Sequence, residues 1–367
     1  MTCFPNPLDD HLPPDGALAD AGRWRMIDAN TNRAGEAFRV VEDILRLGFG
    51  EAHLTERTKH LRHRLGAVVQ QLDLRARISA RDIAGDCGRA PTCPSEYQRD
   101  SWSALLAANW KRAQQALRSL EEALKSFDAA LAQQCETLRY EAYALEQASL
   151  LLATQRPMLQ DIRLCVLVDG GETEEAFVQL IQALAAAPVD LIQLRDKRLN
   201  DRALLARGRR LTELLRGTDT PWVMNDRADL AVESGARGVH LGQEDLPIVA
   251  ARRIVGSNLW IGVSTHSPAE AAEAAEQGAT YIGVGPVFAS PTKSFAQLQG
   301  TELVRRVADL TSLPAFAIGG INLTNLETVL AAGARRVAVG SGITTAKDPA
   351  EAARRLRAKL VSIPPAE

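Results

Sequence analysis

An alternation of short apolar runs with helical stretches constrains the fold of residues 157–367 more than any other feature of the sequence. Each run has the length and composition of a buried parallel strand. The runs are Leu164–Val168, Leu191–Leu194, Trp222–Met224, Gly238–Leu241, Trp260–Val263, Tyr281–Val284, Ala315–Ile318 and Val337–Val339. Helical stretches follow most of them, and three of these begin with capping patterns at Ser267, Thr324 and Asp348. Eight such strand–helix units predict the α/β class and a (β/α)8 TIM barrel.

Polar and charged residues stand where the predicted strands end, at the edge that carries the active site of such barrels. Gln193, Arg195 and Lys197 share one face at the end of the second strand, because side chains alternate along a strand. Asp226 and Asp245 follow the third and fourth strands. Neighbouring carboxylates repel each other, so a divalent cation with oxygen ligands, such as Mg2+, would stabilise the pair. The alternative is that both are helix N-caps, and these two positions alone leave the choice open.

The later strands add groups suited to phosphate. The fifth strand ends at Ser264, and the sixth runs into the polar sequence Ser290–Lys293. Glycine-rich turns follow the last two strands, at 319–320 and 340–342, where backbone N–H groups commonly bind phosphate in this fold. Cationic side chains, a carboxylate pair and a separate phosphate cradle in one barrel mouth indicate two phosphorylated substrates, one of which carries a diphosphate.

These strand ends resemble the thiamine-phosphate synthase family, over about residues 160–360. The shared motifs are Q-L-R-x-K at 193–197, N-D at 225–226, H-L-G-Q-x-D at 240–245, Ser264, G-P-V-F at 285–288 with T-K at 292–293, I-G-G-I at 318–321 and V-x-S-x-I at 339–343. The resemblance implies condensation of hydroxymethylpyrimidine diphosphate with a thiazole carboxylate phosphate. Thiamine phosphate, diphosphate and CO2 would be the products.

The same resemblance implies roles for individual residues, with Mg2+ bound by Asp226 and Asp245. The implied catalytic residues are Arg195, Lys197, Ser264 and Lys293. The implied substrate-binding residues are Gln193, Leu194, Arg195, Asp196, Lys197, Asn225, Ser264, Ser290, Pro291, Thr292, Lys293, Gly320, Gly340 and Ser341. Of these, the thiazole phosphate would be held by Ser290, Thr292, Gly320, Gly340 and Ser341. Ser290 replaces the family's usual Thr and keeps its hydroxyl, whereas Gly340 replaces an aliphatic residue.

A related enzyme, the thiazole tautomerase, is the alternative for the barrel, combined with a non-catalytic helical dimerisation domain. It shares the barrel but does not need a diphosphate clamp. Lys197, Lys293 and the two aspartates favour the synthase.

The first half of the chain has helical periodicity and almost no strand signal. The predicted helices are Met26–Leu47, Leu54–Leu74, Trp102–Phe127 and Leu131–Thr154. Residues 29–45 align with 108–124 at eight identical positions, and Leu61-Arg62 recurs as Leu138-Arg139. This repeat predicts an all-α bundle built from a duplicated helical hairpin.

Helical spacing places Asn30 and Arg33 on the apolar face of the first repeat, with Asn109 and Arg112 at the corresponding positions of the second. Either these groups satisfy each other across the repeats, or they bind an anionic ligand between the hairpins. On the outer face, the spacing predicts the ion pairs Arg39–Asp43 and Arg118–Glu122.

Residues 30–43 resemble a helical domain that is fused to such synthases and is assigned as an alternative hydroxymethylpyrimidine-phosphate kinase. The resemblance alone implies ATP as a partner, because the sequence contains no nucleotide-binding motif. The predicted organisation is a disordered tail over 1–21, a helical domain over 22–156 and the synthase barrel over 157–367.

The remaining composition limits the partners. A net charge of −2 gives no general attraction to nucleic acid or to a membrane surface. The five cysteines are scattered without a C-x-x-C motif, which indicates neither a zinc site nor a disulfide framework. We therefore expect a cytoplasmic enzyme of small-molecule substrates, and the sequence leaves the formation of a homo-oligomer open.

Overall fold

The structure is a computed structural model. It describes residues 15–83, 99–289 and 298–362. The chain divides into two compact units, residues 1–48 with 55–146 and residues 49–54 with 147–367. The predicted boundary at residue 156 therefore moves to between Glu146 and Gln147. A single helix, Ala129–Gln155, continues across this point, so no helix-breaking residue marks the boundary in the sequence.

The first unit is helical, as predicted. Its helices are α1 (Asp15–Asp43), α2 (Ala52–Gln70), α3 (Leu74–Ser79), α4 (Trp102–Lys125) and the first part of α5 (Ala129–Gln155). A π-helical turn, Ile44–Gly48, continues α1. The prediction of a disordered tail up to residue 21 was wrong from Asp15 onward, because the Ala- and Leu-containing sequence there continues α1. Residues 1–14 lie outside the described part of the chain.

Repeat-related ion pairs support the predicted duplication of the hairpin. Arg62 donates two hydrogen bonds to Glu42, of 2.6 and 3.1 Å. The equivalent pair in the second repeat is Arg139 with Glu121, at 3.0 Å. These pairs join the two helices of each hairpin, because the glutamates lie on α1 and α4 and the arginines on α2 and α5.

Two further positions of the repeat contact each other directly. The Arg64 guanidinium donates to both oxygens of Glu141, at 2.6 and 2.7 Å. Each stands two residues beyond the repeated Leu-Arg dipeptide of its own hairpin. A residue that contacts its own repeat equivalent must lie near the symmetry axis of the duplication. This contact agrees with the pseudo-twofold relation that the sequence repeat predicts.

The polar groups predicted on the apolar faces behave in two ways. Asn30 and Asn109 are buried, and the amide of each donates to the carbonyl four residues before it, at 2.8 and 2.9 Å. Arg33 and Arg112 are exposed, so their predicted burial was wrong. Their long side chains extend from the edge of the apolar face to solvent, as charged side chains at such an edge commonly do.

The predicted outer ion pairs were half right. Arg118 contacts Glu122 at 2.5 Å, as predicted. Asp43 is not paired with Arg39; it is paired at 3.0 Å with Arg46, which lies in the π-helical turn that follows it. In the described residues, no helix is both long and apolar enough to cross a bilayer.

The second unit is a closed barrel of eight parallel strands in chain order, which confirms the predicted (β/α)8 fold. The strands are β1 (Leu164–Val168), β2 (Leu191–Leu194), β3 (Trp222–Asn225), β4 (Gly238–Leu241), β5 (Trp260–Thr265), β6 (Tyr281–Val284), β7 (Ala315–Ile318) and β8 (Arg336–Val339). Strand β8 pairs with β1 and closes the sheet. The carboxyl ends of all strands consequently meet at one mouth.

Nine helices of the described residues accompany these strands. They are α6 (Glu174–Ala185), α7 (Asp201–Leu214), α8 (Ala228–Ser234), α9 (Ile248–Val255), α10 (Pro268–Glu276), α11 (Gly300–Leu310), α12 (Leu326–Ala331), α13 (Ser341–Thr344) and α14 (Pro349–Val361). The Ser267 and Asp348 side chains cap α10 and α14, as predicted. The predicted Thr324 cap was wrong: its hydroxyl donates to Asn322, and α12 begins after Asn325.

Bulky side chains fill the barrel interior below the mouth. The buried interior cluster includes Leu191, Val223, Trp260, Tyr281 and Phe316, which come from five different strands. The rings of the last two meet edge to face at 5.5 Å. The barrel is therefore packed over most of its height, and only its carboxyl end has space for a ligand.

Candidate active site

A cavity of about 330 Å3 opens at the carboxyl ends of the strands. The predicted site residues that line it are Gln193, Arg195, Asn225, Ser264, Gly320, Gly340 and Ser341. They come from β2, β3 and β5 and from the turns after β7 and β8. The closed barrel thus brings together groups separated by up to 148 positions in sequence, from Gln193 to Ser341.

The end of β2 separates its residues by face, as the strand alternation predicts. Gln193 and Arg195 line the cavity. Leu194 between them is fully buried and does not line it. The amide of Arg195 donates to the carbonyl of Val168 at 2.8 Å, which holds this cationic residue beside β1. Strand geometry therefore directs one amide and one guanidinium toward the ligand space.

Asp196 organises the loop rather than lining the cavity. Its carboxylate accepts the backbone N–H of Gly170 at 3.0 Å and of Arg198 at 2.7 Å. The Arg198 guanidinium also donates to it, at 2.9 Å. Burial by itself would raise the pKa of Asp196, but these hydrogen bonds outweigh it and lower the pKa to about 2. Asp196 is therefore ionised near neutral pH and fixes the loop that contains Arg195 and Lys197.

Asp226, Asp245 and Lys197 form a charged cluster at the mouth. The Lys197 ammonium lies 3.5 Å from an Asp226 oxygen. Burial raises the pKa of Asp226, and the adjacent Asp245 carboxylate raises it further through a hydrogen bond and charge repulsion. Lys197 opposes both effects. The two carboxylates predicted from separate strand ends therefore do lie together, as the metal-site interpretation requires.

Local geometry excludes the alternative in which both aspartates are helix N-caps. Asp226 precedes Arg227, which is the N-cap residue of α8. Asp245 instead closes its own turn by accepting the amide of Gly242 at 2.6 Å. Asp226 has a left-handed backbone with φ of 64°, and its amide donates to the His240 carbonyl at 2.7 Å. This strained conformation turns Asp226 out of the strand line, and β4 holds it there.

The donor set at this cluster fits Mg2+ bound together with a phosphate. In the described ranges, no three His, Cys, Asp or Glu side chains gather into a metal site built from protein alone. Mg2+, however, usually takes one or two carboxylates and fills its other positions with water and substrate phosphate. The repulsion that raises the pKa of Asp226 is what a cation between the two carboxylates would relieve.

A buried hydrogen-bonded pair supports Ser264 from within the barrel. His240 Nε2 lies 3.0 Å from Ser264 Oγ, and His240 Nδ1 lies 3.2 Å from the Tyr281 hydroxyl. Burial lowers the pKa of His240 to about 4, against the opposing effect of the nearby Asp245 charge. The imidazole is therefore neutral near pH 7, with one ring nitrogen as donor and the other as acceptor.

The turns after β7 and β8 present backbone N–H groups to the other side of the cavity. Gly319 and Gly320 have φ of 105° and 60°, and a side chain on Gly320 would collide with the carbonyl of Ala289. Glycine is required there for both reasons. Gly340 precedes the short helix α13, which begins at Ser341. A small oxyanion such as phosphate suits these adjacent turns.

Four of the predicted site residues, Ser290, Pro291, Thr292 and Lys293, lie outside the described part of the chain. The described structure therefore leaves their proposed roles as predictions.

The comparisons with known proteins agree with this site. Residues 164–343 match the family described as Thiamine monophosphate synthase. The chain is 41% identical to the Thiamine-phosphate synthase of Synechococcus sp. (strain WH7803), over 90% of this chain and 94% of that one.

The chain belongs to the thiamine-phosphate synthase family.

Other relatives and a solved structure support the same conclusion. The Thiamine-phosphate synthase of Gloeobacter violaceus is 42% identical over 89% of this chain and 93% of its own. That of Rhodopirellula baltica is 39% identical over 93% of both. A solved thiamine phosphate pyrophosphorylase from Pyrococcus furiosus superposes with a TM-score of 0.51 at 33% identity. The match covers 56% of this chain and 98% of the other, so this chain carries a substantial additional region.

That additional region also has a family match. Residues 25–148 match the ThiD2 family, which supports the kinase-like interpretation of the helical half. The match ends two residues beyond the boundary between the two compact units, at Glu146. Two independent criteria therefore delimit the same part of the chain.

Sequence reasoning gave no site role to Tyr281, whose hydroxyl contacts the cavity-lining His240. Tyr281 was placed on a strand, but nothing in its own run of apolar residues distinguished it from core. The available signal was Gly262, which pairs in register with both His240 and Tyr281 on its neighbouring strands. A glycine within a buried strand indicates that something large lies against its backbone, and here that is the Tyr281 ring.

Proposed function

We propose that the barrel joins hydroxymethylpyrimidine diphosphate to the thiazole carboxylate phosphate. The bond between the pyrimidine methylene carbon and the diphosphate oxygen breaks, and its electron pair leaves with diphosphate. The thiazole nitrogen forms the new C–N bond to that carbon, and the thiazole carboxylate departs as CO2. The electron pair of the broken C–CO2 bond stays on the thiazole carbon, which takes up a proton from solvent. With that proton, thiamine phosphate, diphosphate and CO2 account for all atoms.

The observation that carries this proposal is the division of the mouth into two unlike anion sites. Lys197, Asp226 and Asp245 lie together on one side and would form a site for a metal–diphosphate group. The backbone N–H groups around Gly320 and Ser341 suit a single phosphate on the other. Two substrates bound in this way would place the methylene carbon and the thiazole nitrogen in the same cavity.

Each group has a role in this reaction. Arg195 and Lys197, with Lys293, would neutralise the charge that grows on diphosphate as it leaves. Gln193, Asn225 and Ser264 would hold the pyrimidine substrate.

Asp226 and Asp245 would hold Mg2+, which supplies further positive charge to the leaving group when it is bound. No side-chain nucleophile is needed, because the leaving group departs to give a stabilised carbon cation.

Purified full-length protein with both substrates and Mg2+ tests the proposal. We expect equal amounts of thiamine phosphate and diphosphate, and loss of both products when EDTA removes the metal. A thiazole tautomerase would instead convert the thiazole substrate without releasing diphosphate. That result would contradict the proposal.

We further propose that the unit containing residues 25–148 phosphorylates hydroxymethylpyrimidine phosphate, with ATP as the donor. The family match supports this assignment. In the reaction, an oxygen of the monophosphate attacks the γ-phosphorus of ATP, and ADP leaves. The product is the diphosphate substrate of the barrel.

The full-length chain with ATP, Mg2+ and the monophosphate tests the kinase assignment. We expect Arg33→Met to stop formation of the diphosphate while the fold is kept, because Arg33 is exposed. Arg75→Met is a matched control at another exposed arginine of the same unit. Wild-type protein that makes no diphosphate would leave the helical unit without this activity, whereas the barrel assay starts from ready-made diphosphate and is independent of it.

A further inference from the structure

A line of hydrogen-bonded side chains runs through the barrel interior to the cavity. The Gln193 side chain lowers the pKa of the Tyr281 hydroxyl, against the larger rise that burial causes, as an amide that donates toward the phenol oxygen would. The Tyr281 hydroxyl lies 3.2 Å from His240 Nδ1, and His240 Nε2 lies 3.0 Å from Ser264 Oγ. Tyr281 and His240 are both buried, whereas Ser264 reaches the cavity. The line therefore connects the closed interior with one substrate-facing hydroxyl.

The strands are built to make room for these rings. Gly262 lies in register between His240 on β4 and Tyr281 on β6. A side chain at Gly262 would collide with the Tyr281 ring, and a Cβ at Gly283 would come within 3.4 Å of the His240 ring. The two rings lie 5.5 Å apart across this gap. Close packing of this kind holds each ring in one orientation.

The protons available to these side chains determine which group donates each hydrogen bond and which group accepts it. His240 is buried and its two ring nitrogens face the hydroxyls of Ser264 and Tyr281, so the imidazole is held neutral with one N–H. One ring nitrogen must therefore accept a hydrogen bond and the other must donate one. The buried Tyr281 hydroxyl must donate its proton to an acceptor, because an unpaired buried donor is costly. When the Gln193 amide donates to Tyr281, the phenol proton goes to His240 Nδ1. The His240 proton is then on Nε2 and is donated to Ser264 Oγ.

We propose that Tyr281 and His240 are positioning residues that fix the Ser264 hydroxyl with its proton directed into the cavity. Ser264 Oγ accepts from His240 and must use its own proton elsewhere. Among the described residues, no further hydrogen bond of the Ser264 hydroxyl is formed, so this proton can be donated to the ligand. Resting on the proposed function, this makes Ser264 a donor to the pyrimidine diphosphate, whose phosphate oxygens and ring nitrogens are acceptors.

The opposite direction has a different chemical consequence. With the proton on Nδ1, His240 would donate to Tyr281, and Ser264 would donate to His240 Nε2. Ser264 would then present only lone pairs to the cavity. Such a group would repel a phosphate oxygen rather than bind it. The tautomer of His240 therefore decides whether Ser264 attracts the diphosphate substrate.

Steady-state kinetics on full-length variants test the line. Tyr281→Phe keeps the ring and removes the proton that sets the tautomer. We expect kcat/KM for the pyrimidine diphosphate to fall about tenfold, the effect of one neutral hydrogen bond. The KM for the thiazole phosphate should change less than twofold. His240→Gln, whose amide nitrogen can replace Nε2 as donor, should retain more activity than His240→Leu.

A double-mutant cycle separates positioning from packing. If Tyr281 acts through Ser264, Tyr281→Phe should cost less than twofold in a Ser264→Ala background. A full tenfold cost in that background would overturn the proposal. Phe316→Leu is the matched control, because it alters the ring packed against Tyr281 without touching a hydrogen bond. It should lower the melting temperature and leave kcat/KM within twofold.

The tautomer itself can be observed without turnover. In protein labelled with 15N-histidine, the resonance that disappears in His240→Gln belongs to His240. We expect it to show a protonated Nε2 and an unprotonated Nδ1, and to lose this pattern in Tyr281→Phe. A protonated Nδ1 in the wild-type protein would refute the inference. Absence of thiamine phosphate formation with the expected tautomer would instead refute the proposed substrates alone.

Discussion

The helical unit and the barrel mouth use charge in different ways. In the helical unit, Glu121 is almost fully buried and is paired with Arg139. At the mouth, Arg195 lines a cavity, and no side-chain partner for its guanidinium is recorded among the described residues. Asp226 is held beside a second carboxylate although this raises its pKa. Charges that neutralise each other stabilise a fold, whereas charges that are left uncompensated indicate where a ligand completes the structure.

The same difference in charge explains why a function could be predicted from individual residues for the barrel but not for the helical unit. The strand ends of the barrel combine carboxylates, cations and glycines whose chemistry favours the proposed phosphate and metal ligands. The repeated helices carry many charges, but the least exposed of them form pairs between helices, such as Glu42 with Arg62. The kinase proposal for that half therefore depends on the family match rather than on a visible constellation.

Removal of either mouth carboxylate should have the largest effect. We expect Asp226→Asn or Asp245→Asn to reduce kcat about a thousandfold or more, as loss of a metal that stabilises the leaving group would. Because a proton competes with the metal for Asp226, whose pKa is raised, wild-type protein should also need more Mg2+ as the pH falls. Turnover measured across a Mg2+ series tests both points.

A neighbouring carboxylate provides the control for this pair. Asp229 is about half exposed and is paired with Arg227 outside the cavity. Asp229→Asn should keep activity within twofold. Near-normal turnover of folded Asp226→Asn at saturating substrates would show that the uncompensated charge at the mouth does not mark a metal site.

In the helical unit, substitution of a paired charge should lower the free energy of unfolding rather than the catalytic activity. Glu121→Gln leaves buried Arg139 without its carboxylate, and we expect a loss of about 3 kcal/mol in the stability of that unit. Glu42→Gln breaks the repeat-related pair, which is more exposed, and should cost less. Hydrogen exchange of α4 and α5 amides measures the loss.

Synthase activity should distinguish this effect from one at the mouth. With ready-made pyrimidine diphosphate, Glu121→Gln should retain normal turnover at temperatures where the protein is folded. Strong loss of synthase activity under those conditions would contradict the division between stabilising and ligand-binding charge.

Variants at the two anion sites of the mouth should each impair the kinetics of a different substrate. We expect Lys197→Ala to lower kcat/KM for the pyrimidine diphosphate about a hundredfold, because a cation beside the leaving group acts mainly in the transition state. Ser341→Pro removes one backbone N–H at the first position of α13, where proline is tolerated, and should mainly raise the KM for the thiazole phosphate.

The same experiment on Lys293→Ala tests a residue outside the described structure, and it should behave like Lys197→Ala. Lys359→Ala, at an exposed ion pair with Glu327, is the control. If all of the mouth variants impair the same substrate, the mouth does not contain two separate anion sites.

The smallest expected effect concerns Asp196, a charge of the mouth that is fully paired. Its pKa is lowered from 3.8 to about 2, so ionised Asp196 stabilises the fold above pH 4. This contribution, about 2 kcal/mol, should be lost as the pH falls from about 4 to about 2. Asp196→Asn should remove the contribution at pH 7 and flatten that part of the stability profile. Urea unfolding between pH 2 and 7 measures it, and an unchanged profile would refute the assignment.

Most of the barrel and much of its site followed from the sequence. The strand starts and ends are local signals, because buried parallel strands are continuous apolar runs bounded by polar residues. Once the strands are counted, the closure of eight of them fixes where the ends meet. This is why Gln193, Arg195 and Ser264 were predicted at the cavity they line. The prediction that Arg33 is buried was wrong. Helical spacing gives the direction of the apolar face, but it does not give the width of the part of that face that other helices cover.

The sequence by itself determined the order of strands and helices, the duplication of the hairpin and the types of group at the barrel mouth. Periodicity, composition and repeats are properties of the chain that need no partner. Tertiary structure alone decided that Asp226 adopts a left-handed backbone, that Asp196 belongs to a loop, and that Tyr281 reaches His240 over Gly262. Each of these depends on which atoms of distant residues come within hydrogen-bonding or van der Waals distance, and only the closed barrel sets those distances.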